Sequence, residues 1–129
     1  MVKRIRIVQI LEATAGGTRR HLYDLVTHLD PAAFEVSVIA STGREPGFAG
    51  DMEAFAAQGI RTAVVHMPRA VRPAADRRAL GELRRLLGEW RPEVVHTHSS
   101  KAGFLGRLAA RQAGVPASLY TPHCFAFEM

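Results

Sequence analysis

The 129-residue chain has a single cysteine, Cys124, and no apolar run near the roughly 20 residues that cross a bilayer as a helix. One thiol cannot form an internal disulfide, which is typical of proteins from a reducing compartment. The first residues lead directly into a strand pattern and do not resemble the apolar core of a signal peptide. We therefore expect a cytoplasmic protein.

Two phosphate-binding fingerprints are also missing. The chain contains neither the G-x-G-x-x-G pattern of dinucleotide-binding domains nor the G-x-x-x-x-G-K-[ST] pattern of P-loops. Acidic residues are few, 12 against 17 lysines and arginines, and only Glu12 stands at the predicted end of a strand. A phospho-receiver domain needs clustered aspartates at such ends, so this class and a stand-alone nucleotide-binding domain of similar size are disfavoured.

The sequence does contain a regular alternation of strand and helix patterns. Strands are predicted over residues 4–10, 34–40, 60–65, 93–96 and 117–121, and helices over 18–29, 51–58, 76–90 and 102–113. Gly59 and Gly114 are predicted to end two of the helices. This alternation indicates right-handed βαβ units around a parallel sheet. We predict one α/β domain over residues 1–129, Rossmann-like, with three αβα layers and strand order 3-2-1-4-5.

Polar segments follow three of the predicted strands. Residues 12–17 follow strand one, 97–101 follow strand four and 122–123 follow strand five. In this strand order the carboxyl ends of strands one, four and five are neighbours, at the place where open parallel sheets bind ligands. The three segments are therefore predicted to line one crevice.

Two of these segments carry features that suit an anion. Gly16 and Gly17 allow the backbone to approach a ligand, and the helix that follows favours a phosphate at its start. The alternative is a tight turn that needs a positive φ. Lys101 stands at a helix start, against the helix dipole, which either a bound anion or simple solvent exposure would explain.

Three histidines, His96, His98 and His123, have the ligand chemistry of a zinc site. Acidic residues that would orient the imidazoles are lacking nearby, so no metal is predicted. We expect instead that one of His96 and His98 is a hydrogen-bonded core residue. The other, near Ser99 and Lys101, is expected to face the crevice.

Most of the formal net charge of +5 lies between Arg69 and Arg91, where seven arginines stand among three acidic residues. Four of the arginines lie on the predicted helix opposite its leucine stripe (Arg77, Arg78, Arg84 and Arg85). A solvated helix face is one interpretation, and attraction to anionic lipid headgroups is the other. Nucleic acid is disfavoured because Trp90 is the patch's only aromatic residue and is assigned to the core.

Three motifs together resemble the N-terminal domain of retaining glycosyltransferases of family 4. They are GGTRRHL at residues 16–22, VVHTHSSKAGFLGRLAA at 94–110 and YTPHCFAF at 120–127. The resemblance implies a GT-B enzyme, in which two Rossmann-like domains enclose the active site between them. Its N-terminal half chiefly binds the acceptor, and its C-terminal half holds most of the nucleotide-sugar.

The resemblance also implies roles for individual residues. Gly16 and Gly17 would approach the donor's diphosphate, and His123 would lie beside the transferred sugar as the catalytic residue. The acceptor would be bordered by two segments, with Thr18, Arg20 and His21 in one and His98, Ser99 and Lys101 in the other. No cofactor or metal is implied, because the UDP- or GDP-sugar is itself a substrate.

The function implied is transfer of a hexose, with retention, to a lipid-linked or polysaccharide acceptor at the cytoplasmic face of a membrane. Two positions depart from the family: Arg19 stands where many members have an acidic residue, and Cys124 where glycine is commoner. The chain is expected to be the acceptor-side half of a longer enzyme, inactive alone. The alternative is a non-catalytic partner subunit of a split transferase.

Overall fold

The computed structural model of the chain describes residues 3–12, 16–41, 47–68 and 70–121. Within them, strands and helices alternate from the first element to the last. The strands are β1 (Ile5–Leu11), β2 (Phe34–Ala40), β3 (Arg61–Val64), β4 (Val94–His98) and β5 (Ala117–Thr121). The helices are α1 (Gly16–His28), α2 (Gly47–Ala57), α3 (Pro73–Trp90) and α4 (Ser100–Ala113).

The sheet is parallel, with the order β3-β2-β1-β4-β5, which confirms the predicted topology. Leu11 at the end of β1 lies opposite Ala40 of β2 and His98 of β4, and His98 lies opposite Thr121 of β5. The carboxyl ends of four strands therefore form one edge of the sheet. We call this edge, from Ala40 to Thr121, the rim.

Each face of the sheet is buried under two helices. Val8, Ile10 and Val95 pack with residues of α3 and α4, including Leu83, Leu87 and Leu105. Leu11, Val38 and Ala40 pack on the other face with residues of α1 and α2, including Leu22, Phe48 and Phe55. Successive residues of a strand point to opposite faces, so the uninterrupted apolar pattern of β1 supplies both layers.

The predicted boundaries need five main corrections. β4 extends to His98 rather than 96, because the ladder with β1 and β5 continues through both histidines. Helix α1 begins at Gly16 rather than 18, α2 at Gly47 rather than 51 and α4 at Ser100 rather than 102. Helix α3 begins at Pro73 rather than 76, since proline suits the first helical turn. Two strands, β2 and β5, match their predicted ranges.

The glycines predicted to end two helices and the arginines predicted to be exposed on α3 lie where the sequence pattern indicates. Gly59 and Gly114 have φ of 84° and 76° beyond the ends of α2 and α4, the left-handed conformation that glycine tolerates best. The four arginines predicted to lie opposite the leucine stripe of α3 are all exposed. None of the described helices is long and apolar enough to cross a membrane.

Helix α4 lies close to the sheet because it carries small residues. A methyl group on Gly106 would come within 2.6 Å of Thr97 Cγ2 and 3.3 Å of Ile10 Cδ1. A methyl group on Gly103 would come within 2.5 Å of the ring of Tyr120, whose side chain is 38% exposed. The contact at Gly106 is the harder one to relieve, because Thr97 and Ile10 are fully buried.

Replacing Gly106 with alanine should lower the free energy of unfolding by about 1–3 kcal/mol, since the neighbouring atoms belong to buried strands. The matched control is Gly81→Ala on α3, where a methyl group meets nothing within 4 Å. That variant should be neutral or more stable by up to about 1 kcal/mol, because alanine favours the helix. Urea unfolding followed by Trp90 fluorescence measures both, and equal effects would contradict the packing argument.

Candidate functional site at the rim

The rim brings together the described parts of two of the three segments that were predicted to share a crevice, those after β1 and β4, with the end of β5 beside them. Helix α1 begins at Gly16, shortly after β1 ends, and α4 begins at Ser100, directly after β4. Thr121 ends β5 beside His98. The predicted catalytic residue, His123, lies outside the described residues, as does Pro122.

Gly16 and Gly17 form the first turn of α1. The alternative interpretation, a tight turn ahead of the helix, is therefore wrong, because both residues are helical. Backbone N–H groups in a first turn have no partner within the helix and sit at its positive end. Such amides suit a phosphate, and glycine leaves them uncovered. The side chain of Thr18 lies outside the described residues, whereas that of Arg20 is exposed.

Three imidazole rings lie in a row beneath and at the rim. His98 is fully buried, and its ring centroid is 4.1 Å from that of His96 and 5.9 Å from that of His21. His21, on α1, is the exposed member of the row. His98 Nε2 lies 2.6 Å from Gln9 Oε1, and His96 Nε2 lies 2.6 Å from Thr121 Oγ1.

This row refines the expectation for the two β4 histidines. His98 is the hydrogen-bonded core residue, although the sequence analysis placed it at the acceptor surface. His96 is half-buried and bonded to Thr121, so neither ring is simply open to solvent. Alternation along β4 explains the outcome, because both rings point toward the α1 layer while Thr97 between them points toward α4.

Thr97 does not belong to the rim surface. Its side chain is fully buried, its methyl group lies under Gly106, and its hydroxyl donates to the carbonyl oxygen of Leu119 at 3.2 Å. It is therefore a structural residue between β4 and β5.

Ser99 holds an unusual backbone conformation at the turn from β4 into α4. Its φ is 71° and its ψ is 168°, a region that residues other than glycine rarely adopt. It occupies the N-cap position of α4, but its hydroxyl donates to the carbonyl oxygen of His98 and makes no capping bond. Strained residues of this kind cluster at functional sites.

Lys101 is held by an anion of the protein itself. Its Nζ lies 2.6 Å from Asp76 Oδ1 and 2.8 Å from the carbonyl oxygen of Ala70, and only 10% of its side chain is exposed. This pair explains the lysine at the helix start without a bound ligand or full solvation. It also ties the segment before α3 to the first turn of α4.

The hydrogen bond from Lys101 is the main reason that the pKa of Asp76 lies below its ordinary value of 3.8. A hydrogen bond from the backbone N–H of Arg72 and the charge of Lys101 act in the same direction, while burial opposes them. Asp76 therefore stays ionised throughout the neutral range.

Sequence reasoning missed two residues of this region. Gln9 is 1% exposed in the middle of an apolar strand, and a lone amide in such a run was the available signal. Asp76 had no comparable signal, because its partner is 25 positions away. Among the described residues no group of three histidines, cysteines or carboxylates is arranged to hold a metal ion, and His123 of the considered zinc set lies outside them.

Comparison with known families and solved structures agrees with the fold. The sequence model of the glycosyl transferase 4-like domain matches residues 16–128, and the chain belongs to this family. A UDP-Gal:alpha-D-GlcNAc-diphosphoundecaprenol alpha-1,3-galactosyltransferase of Escherichia coli is 55% identical over 53 residues. That match covers 41% of the chain and 14% of the relative.

Solved structures share the fold at low sequence identity. MurG of Acinetobacter baumannii has a TM-score of 0.67 at 19% identity, over 91% of this chain and 34% of its own. A glycosyltransferase of Rickettsia africae has a TM-score of 0.69 at 15% identity, over 94% and 30%. A UDP-N-acetylglucosamine 2-epimerase has a TM-score of 0.67 at 17%, over 92% and 33%. The chain thus spans about a third or less of each.

The Asp76–Lys101 pair generates a prediction about acid stability. Because folding lowers the pKa of Asp76, its stabilisation is present above about pH 4 and is lost as the pH falls through the lowered pKa. Asp76→Asn should therefore lower the free energy of unfolding at pH 7 by about 1–2 kcal/mol, a value between those typical of exposed and of buried ion pairs. The difference from the wild type should shrink below about pH 4.

Glu89→Gln is the matched control, since Glu89 pairs with Arg85 at 3.1 Å on an exposed turn of α3. It should change the unfolding free energy by at most about 0.5 kcal/mol at pH 7. Urea titrations between pH 3 and 7 give both series. A pH-independent loss in Asp76→Asn would contradict the assignment.

Proposed function

We propose that this chain is the acceptor-side half of a glycosyltransferase that moves a hexose from a nucleotide-sugar to a lipid-linked acceptor with retention. The observation that supports it most is the family match over residues 16–128. The structure adds a rim at which the starts of two helices and the polar ends of neighbouring strands lie together. The Escherichia coli relative is named for a diphosphoundecaprenol-linked acceptor. A polysaccharide acceptor is the related alternative.

The proposed chemistry requires the rim to stabilise a departing nucleoside diphosphate. Gly16 and Gly17 offer first-turn amides to the diphosphate, where negative charge grows as the sugar leaves. His123 lies beside the transferred sugar. The UDP- or GDP-sugar is a substrate, and neither a cofactor nor a metal is part of the proposal.

The acceptor is proposed to contact residues that follow β1 and β4. Arg20 and His21 are exposed on α1, near Thr18, and Ser99 is half-buried at the end of β4. Lys101 contributes by holding the segment before α3 through the carbonyl oxygen of Ala70 and α3 itself through Asp76, and His98 supports the surface from beneath. A second Rossmann-like half is proposed to complete the donor site across a cleft.

The decisive experiment is a transfer assay with the protein that contains these 129 residues. It should move a hexose from a UDP- or GDP-sugar to diphosphoundecaprenol-linked GlcNAc, while residues 1–129 alone should be inactive because half of the positioning groups are absent. Hexose transfer by the 129 residues alone would contradict the proposal that they form only half of the active site. Transfer only after addition of a second chain would favour a split enzyme.

His123→Ala should lower kcat in that assay by at least about 100-fold, the scale seen when one group that stabilises developing charge is removed. His28→Ala is the matched control, since His28 is exposed at the far end of α1, with Nδ1 2.7 Å from the carbonyl oxygen of Asp24. It should keep wild-type turnover. Near-normal kcat in His123→Ala would remove this histidine from the site.

The exposed arginines of α3 are proposed to attach this half to an anionic membrane, where a lipid-linked acceptor resides. They belong to the patch between Arg69 and Arg91, of which Arg69 lies outside the described residues. Arg107 and Arg111 add exposed positive charge on the neighbouring helix α4. Each basic residue near an anionic surface contributes about 1 kcal/mol, so four of them suffice for reversible binding.

Arg77→Glu with Arg78→Glu should weaken binding to phosphatidylglycerol-containing vesicles by at least about 10-fold, because two attractions become repulsions. The control is Lys3→Glu with Arg4→Glu, an equal change of charge at the opposite, amino-terminal edge of the sheet. Co-sedimentation against pure phosphatidylcholine vesicles gives the baseline. Equal losses of vesicle binding in the two double variants would contradict a membrane-binding surface localised on α3.

A further inference from the structure

We propose that Gln9 is a positioning residue of the rim. Its buried amide oxygen holds His98 in the Nε2–H tautomer, and His98 in turn sets the places of His21 on α1 and, through His96, of the end of β5. The inference rests on the proposed function, because it assigns these residues to the arrangement of that same site.

The position of Gln9 in the core is the first observation. Its side chain is 1% exposed on the central strand β1, between Val8 and Ile10, which are both buried in the core. Burying an amide without a hydrogen-bond partner destabilises the folded state, whereas burying an apolar side chain there does not. The structural reason for an amide at this point is therefore its contact with His98.

The chemistry of the contact fixes the proton. An amide oxygen only accepts hydrogen bonds, so His98 Nε2, at 2.6 Å, must be the donor. The proton of a neutral imidazole sits on one nitrogen, and the partner of that nitrogen selects the tautomer. In a neutral His98 with the proton on Nε2, Nδ1 carries a lone pair and is able to accept a hydrogen bond.

The row of imidazoles extends this constraint to the parts of the rim that bind substrate in the proposed function. His98 lies between His96 and His21, with centroid distances of 4.1 Å and 5.9 Å. His21 stands one turn beyond the glycines of α1, and His96 contacts Thr121, which ends β5. Packed interiors transmit shifts between neighbours, so a displaced His98 moves both the start of α1 and the end of β5.

Thr97 provides a matched control for a purely structural role. It lies beside His98 on the same strand, is equally buried and also makes a side-chain hydrogen bond, to Leu119, but it faces α4. Thr97→Val removes that bond with little change of shape. Gln9→Met removes the amide oxygen with a similar chain length, so the two variants differ mainly in which layer loses its polar contact.

The first arm is a long-range ¹H–¹⁵N correlation spectrum of the 129-residue chain with ¹⁵N-labelled histidine. Wild type and Thr97→Val should show His98 as the Nε2–H tautomer, and Gln9→Met should shift His98 toward Nδ1–H and move the signals of His21 and His96. Signals of His98 as Nδ1–H in the wild type would overturn the proposal. So would an unchanged spectrum in Gln9→Met.

The second arm measures kcat and KM in the transferase that contains this chain. Gln9→Met should lower kcat about 10-fold with a smaller change of acceptor KM, because misplaced groups chiefly affect the reacting geometry. Thr97→Val should keep kcat within about 2-fold. Equal losses in both variants would reduce Gln9 to a structural residue and overturn the proposal.

The two arms separate failure of the positioning role from failure of the proposed function. If Gln9→Met changes the tautomer of His98 but the wild-type enzyme transfers no sugar, the proposed reaction is wrong and the positioning role of Gln9 stands. If the wild type transfers sugar and Gln9→Met retains its kcat, the reaction stands and the positioning role is wrong.

Discussion

Pairing of β1 with β2 on one side and β4 on the other is the interaction on which the rest of this structure depends. The pairing places Leu11 opposite both Ala40 and His98, so the ends of separate strands meet at one edge. A slip by one residue would turn Gln9 toward the leucines of α3 and α4 and move Ile10 to the other layer. The apolar side chains that fill both layers exclude such a slip, and the polar contacts at the rim follow from them.

The architecture could be predicted from the sequence because its signals are local. Alternating patterns, a run such as FEVSVIA for β2, and glycines after α2 and α4 each depend on a few neighbouring residues. The end of β4 was missed because the polar run that begins at Thr97 is typical of a loop, and only pairing with β1 and β5 keeps Thr97 and His98 in the strand.

The candidate site was less predictable, because its contacts join distant positions. Gln9 and His98 are 89 residues apart, and Asp76 and Lys101 are 25 apart. No local pattern shows that Lys101 has an anionic partner within the protein, or which of the two β4 histidines is buried in the core. The family resemblance indicated which segments belong to the candidate site. The hydrogen-bond and ion-pair partners of their side chains are visible only in the folded structure.

The described sheet has two short outer strands, β3 with four residues and β5 with five. Each has an exposed apolar side chain, Val64 at 58% and Leu119 at 57%, and no described strand on its far side. Unpaired edges of this kind recruit other strands, including those of identical molecules. For the isolated domain, both outer strands are therefore places where molecules can associate at high concentration, and Val64→Lys and Leu119→Lys are the substitutions that place a charge on these edges.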